Sequence, residues 1–126
     1  MRVLLDTQVV LWWMTDDKRL SQQAERVIAD PDNGIFVSAA SIWEVAIKVG
    51  LGRIKGNVEA IVAAIHPSGF TELPITGQHA AQVSKLPLHH RDPFDRILIA
   101  QSLSEPMRFM THDHTLAKYG ELIILV

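Results

Sequence analysis

Short, wholly apolar runs recur along this chain, and each is followed by residues at helical spacing. RVLLD (2–6), IFVS (35–38), RFMT (108–111) and ELIILV (121–126) are too short for stable helices and show no alternating polar face. A strand without a polar face has to be covered on both sides, and a parallel sheet flanked by helices achieves this. TELPI (71–75) adds one more strand, which Pro74 confines to an edge. Between the strands, TQVVLWWM (7–14), residues 20–29, SAASIWEVAIKVGLG (38–52), residues 57–65, a helix capped by Thr76 and running to about Lys85, and DPFDRILIAQSLSE (92–105) carry helical patterning. A short helix is expected after HDHT (112–115). PDNG (31–34) and the paired Gly50 and Gly52 punctuate the series. The expected architecture is α/β, with about five parallel strands and helices on both faces.

No linker, repeat or low-complexity segment divides the 126 residues, so the expectation is a single domain over 1–126. Net charge is −2, and nucleic acid, if it is a partner, has to be met by a local basic rim. Cysteine is absent, which excludes disulfides, thiolate metal sites and thiol nucleophiles. The N-terminal run MRVLLDTQVVLWWM is interrupted by Asp6 and Gln8, and no apolar stretch reaches bilayer-spanning length. The expectation is a soluble, cytoplasmic protein with no membrane association.

In parallel sheets ligands bind outside the carboxyl ends of the strands, so acids at those positions carry the most information. Of fourteen acids, most occupy turns or polar helix faces, as Asp16, Asp17, Asp30 and Asp32 do. Four do not. Asp6 closes the first strand, Asp113 lies two residues past RFMT, Glu44 interrupts the apolar face of its helix, and Asp95 shares a face with Leu98 and Ile99. Each has a structural explanation. Asp6 and Asp113 can be helix caps; Asp92, Pro93 and Asp95 can form one helix start; Glu44 can pair with Lys48 one turn on. Helices following parallel strands begin at one edge of the sheet, however, so the four acids would share one crevice. Clustered carboxylates repel and lose hydration, which a hard divalent cation such as Mg²⁺ relieves. Such an ion lowers the pKa of a water and offsets charge on a phosphoryl oxygen, which is the chemistry of phosphodiester hydrolysis.

LLDTQVVLWW, SAASIWEVAIKVGLGRI, ELPIT, LPLHHRDPFDRILIAQS and MTHDHTLAKYG resemble the successive motifs of a PIN domain, and among PIN domains those of VapC-like ribonuclease toxins of type II toxin–antitoxin modules. The resemblance spans essentially the whole chain, and RDPFDRILIAQ is its most specific part. It implies a three-layer α/β/α sandwich around a parallel sheet and an endoribonuclease dependent on Mg²⁺, with Mn²⁺ as a substitute. The catalytic and metal-binding acids it implies are Asp6, Glu44, Asp95 and Asp113. Thr7 and Thr111 match hydroxyl positions beside the acids and are expected to orient carboxylate or water. Gln8 stands where relatives often carry histidine, so no titrating role is carried over there. The resemblance further implies an RNA substrate, tRNA or rRNA, a cognate antitoxin lying across the active-site groove, and a homodimer. A non-toxin role in RNA processing and a catalytically silent interaction module are the alternatives it leaves open.

Arg91, Arg96 and His90 flank Asp95 and, with Lys48, form the candidate phosphate-contacting rim. The competing reading is a solvated loop with a salt bridge. His112 and His114 bracket Asp113 in a spacing that invites zinc, but no further ligand pattern supports it. Trp12, Trp13 and Trp43 are read as core or interface packing. A phosphatase built on Asp6 as nucleophile would carry an acid in place of Gln8. A phosphoacceptor domain would need an aspartate after the third strand, where TELPIT has none.

Overall fold

The computed structural model describes residues 1–126. In chain order the elements are β1 (Arg2–Leu5), α1 (Thr7–Met14), α2 (Gln22–Ala29), β2 (Gly34–Ser38), α3 (Ala39–Gly50), α4 (Val58–Ile65), β3 (Thr71–Leu73), α5 (Gly77–Val83), α6 (Pro93–Ser104), β4 (Arg108–Thr111), a 3₁₀ helix (His114–Tyr119) and β5 (Ile123–Leu125). All strand pairs are parallel, in the order β3-β2-β1-β4-β5. This is the expected five-stranded sheet between helical layers.

The central strand shows why. Val3, Leu4 and Leu5 are all fully buried, and alternate residues point to opposite faces. Val3 and Leu5 enter one core with Val9, Trp12, Ala24, Ile28 and Ile65, beneath α1, α2 and α4. Leu4 enters the other with Leu73, Leu86, Leu98, Ile99 and Leu116. Helix α3 straddles the layers, with Ala40 in the second core and Ile42 packed against the first.

Element boundaries follow local cap chemistry. α2 begins after Ser21, whose side chain accepts from Ala24 N, two residues later than the expected start at Leu20; Leu20 is instead a buried anchor preceding the cap. The short late helix begins at His114, inside HDHT rather than after it, because Asp113 caps it by accepting from Thr115 N. β3 is an edge strand of three residues that stops before Pro74, as a residue lacking N–H requires. The sheet order puts β2 and β4 on either side of β1, so the chain leaving β1 runs to one side of the sheet and the chain leaving β4 runs to the other. The crevice of such a sheet opens at that reversal, beyond the carboxyl ends of β1 and β4.

Candidate active site

Asp6 is the first residue past β1, and its backbone N–H donates to Met110 O of β4 at 2.9 Å. Its Oδ1 accepts from Thr7 N at 2.7 Å, and its Oδ2 accepts from the Thr111 hydroxyl at 2.6 Å. Asp6 is therefore both the N-cap of α1 and a carboxylate aimed across the sheet's reversal point. Thr111, fully buried, also accepts from Asp113 N at 3.0 Å, so one hydroxyl fixes the positions of two acids.

Glu44 projects from the buried face of α3. The Thr7 hydroxyl donates to its Oε1 at 2.7 Å, and Lys48 Nζ donates to its Oε2 at 2.8 Å. The i,i+4 pair with Lys48 thus exists, but it does not account for the residue, because Glu44 is itself buried and turned toward Asp6. Ser41 Oγ lies 2.9 Å from Thr7 Oγ1 and completes this group. Ser41 was not anticipated, although its place one turn before Glu44 on the same face was a readable signal.

In α6 the two aspartates divide. Asp92 is the N-cap, accepting from Phe94 N at 2.9 Å and Asp95 N at 3.3 Å, with Pro93 in the first helical position. Asp95, in the same first turn, points inward, and its Oδ2 lies 2.7 Å from His90 Nε2. Asp113 holds the start of the 3₁₀ helix through Oδ1, which accepts from Thr115 N at 2.9 Å and Thr115 Oγ1 at 2.7 Å.

Asp6, Glu44, Asp95 and Asp113 line one open crevice of about 560 Å³, whose wall includes a single apolar residue, Leu11. Burial raises the pKa of Asp6; hydrogen bonds from Thr111 and Thr7 oppose this, and the charges of Glu44 and Asp113 add to it. Burial also raises Asp95, to about 7, helped by the charge of Asp6 and opposed by the His90 hydrogen bond. Burial pushes Asp113 the same way, but hydrogen bonds from Thr115 and the nearby His90 and His114 outweigh it, so Asp113 falls below its ordinary value. Acids held against their own ionisation at a shared site are what a divalent cation relieves. The acids offer hard oxygens and no sulfur is among the donors, and one ring nitrogen of His90 and one oxygen each of Asp95 and Asp113 lie within 4.8 Å of one another. The residues fit such an ion.

A family model described as "PIN domain" matches residues 3–122. The chain belongs to the PIN domain family. This PIN domain is 29% identical over 119 residues to Ribonuclease VapC22 of Mycobacterium tuberculosis (strain ATCC 25618 / H37Rv), covering 93% of this chain and 91% of that one. It is similar in fold to VapBC2 from Rickettsia felis bound to a DNA fragment from their promoter, with TM-score 0.71, 14% identity, and coverage of 100% of this chain and 98% of that one. It is also similar to a toxin-antitoxin complex from Klebsiella pneumoniae, with TM-score 0.67, 18% identity, and coverage of 97% and 95%.

The rim of the PIN domain differs from expectation at two residues. Arg96 is not among the residues lining the crevice. Its guanidinium donates to Pro87 O and His90 O, both at 3.1 Å, and to Val83 O at 3.2 Å, bracing the loop before α6. A planar guanidinium with several fixed donors suits that bracing role. His90 is turned inward onto Asp95, whereas Arg91 is exposed and Lys48 lines the crevice. His112 and His114 also line it, but His112 Nδ1 lies 2.9 Å from Val126 O and its ring packs edge-on against Trp12, which does not support a zinc pair. Trp12 is core, whereas Trp43 is exposed and packs against Phe94.

Proposed function

We propose that this PIN domain is a metal-dependent endoribonuclease, the toxin of a type II toxin–antitoxin module, which hydrolyses phosphodiester bonds in tRNA or rRNA and so inhibits translation. The convergence of Asp6, Glu44, Asp95 and Asp113 in one crevice at the carboxyl edge of the sheet carries this reading. The names of its relatives, a ribonuclease and toxin–antitoxin assemblies, point the same way. Asp6, Asp95 and Asp113, with Glu44 beside them, would hold Mg²⁺, with Mn²⁺ as a substitute. A bound ion lowers the pKa of a water and offsets charge building on the phosphoryl oxygens. The chain's own residues set the geometry: Thr111 orients Asp6, Thr7 orients Glu44, and Asp92 starts α6 so that Asp95 faces inward. Lys48 and the exposed Arg91 serve as phosphate contacts beside the acids. A cognate antitoxin covers the groove and silences the enzyme, which works as a homodimer in the cytoplasm.

The test is cleavage of single-stranded RNA by the purified protein. We expect cleavage in Mg²⁺, none in EDTA, and a rate at least about 100-fold lower for folded Asp95→Asn, the scale of losing one electrostatic contact in a reacting site. A variant that cuts as the wild type does would remove Asp95 from the site. Expressed without antitoxin, the wild type should arrest growth and Asp6→Ala should not; equal growth of both strains would argue against the toxin role and leave the nuclease intact.

A further inference from the structure

His90 is the one nitrogen donor among the close-set groups of the acidic crevice. Its Nε2 lies 2.7 Å from Asp95 Oδ2, and one of its ring nitrogens, with one oxygen each of Asp95 and Asp113, forms a set spanning no more than 4.8 Å. A ring nitrogen of His90 also lies within 4.8 Å of a carboxylate oxygen of Asp113, so the imidazole is within reach of a second acid besides Asp95.

The loop that delivers the ring is braced. Arg96 donates to the His90 carbonyl at 3.1 Å, and also to those of Pro87 and Val83. Asp95 and Arg96 are neighbours on α6, so adjacent residues face the ring of His90 and grip its backbone. The imidazole is half-buried. On the other side of the set, Asp113 is held through Oδ1 by Thr115. All three donors are therefore positioned by contacts of their own.

We propose that His90 Nε2 is a direct ligand of the divalent ion, together with Asp95 and Asp113, and that this nitrogen shifts the site's preference from Mg²⁺ toward Mn²⁺. The proposal rests on the metal-nuclease reading above. Mg²⁺ takes oxygen ligands almost exclusively, whereas transition ions accept imidazole, and a mixed carboxylate–imidazole set favours them. When the ion enters, the proton shared between Nε2 and Asp95 Oδ2 leaves to solvent, as metal binding to protonated ligands requires.

The experiment is pulsed electron paramagnetic resonance of the full chain loaded with Mn²⁺, paired with Mn²⁺ and Mg²⁺ titrations. The expected spectrum shows nitrogen hyperfine coupling from one coordinated imidazole. That coupling should vanish in His90→Gln and persist in His114→Gln, with folding of each variant checked by circular dichroism. His90→Gln should weaken Mn²⁺ binding about 10-fold or more and Mg²⁺ binding less than about 3-fold, since even outer partners of metal ligands act on the 10-fold scale. Mn²⁺ bound without nitrogen coupling, or coupling that survives His90→Gln, overturns the proposal and leaves the metal site standing. If folded wild type binds no Mn²⁺ at all, the metal reading of the crevice falls and the proposal falls with it.

Discussion

Asp95 illustrates how a single residue can be costly to the fold and useful to the site. Its carboxyl titrates near 7 in the folded chain, against about 4 for an unfolded aspartate. The folded state therefore binds the extra proton between those values. The stability it contributes is complete below about pH 4 and is lost as pH rises through about 7. Asp6 is raised as well and acts with the same sign, whereas Asp17 and Asp113 are lowered and stay ionised in both states above pH 5. In EDTA the wild type should thus melt at a lower temperature at pH 8 than at pH 5. Asp95→Asn should flatten that dependence and match or exceed wild-type stability at pH 8. Thermal denaturation across pH checks both statements. A loss above about 2 kcal/mol in the variant would mark Asp95 as structural, because relief of repulsion cannot produce it.

Elements bring these residues together, and two of them are tied by a polar network away from the crevice. The Ser38 hydroxyl caps α3 by accepting from Ala40 N at 3.0 Å and donates to Gln101 Oε1 of α6 at 2.6 Å. Gln101 Nε2 donates to Pro74 O at 3.3 Å, and His79, beside it, lies 2.6 Å from Glu105 through Nε2. The helix carrying Glu44 is thereby joined to the helix carrying Asp95. Gln101→Leu leaves Ser38 without its acceptor and should cost about 1–3 kcal/mol in chemical denaturation, the penalty for stranding buried polar groups. Unchanged stability would show that the tie carries no energy. The start of α6 permits a cleaner separation. Asp92→Ala removes a cap and should cost about 1 kcal/mol while cleavage per folded molecule falls only modestly. Asp95→Asn should do the reverse. If the two variants behaved alike, the division of roles at this helix start would be wrong.

At the scale of the whole molecule, charge limits how RNA can be held. The chain is net −2, Lys48 is the only lysine or arginine lining the crevice and is paired with Glu44, and Arg96 is engaged by backbone carbonyls, so the crevice itself offers few cations to phosphate. For RNA binding by Asp95→Asn, the slope of log affinity against log salt should be no steeper than about −2, given roughly 0.7 per phosphate neutralised on a single strand. Filter binding over a salt series measures it, and a steeper slope would reveal basic surface beyond the crevice. Much of the architecture was legible in the sequence alone. Apolar runs with no polar face required a parallel sheet covered on both sides, and acids following those runs marked the edge where helices begin, because strand periodicity and cap chemistry are local properties. Asp92 and Pro93 identified the start of α6 for the same reason. Only the tertiary structure decided the rest: the β3-β2-β1-β4-β5 order, the Thr111 hydroxyl reaching back to Asp6, the inward turn of His90, and Arg96 gripping a loop. These depend on how residues far apart in sequence, or on an irregular loop, meet in space, and no periodicity along the chain encodes that meeting.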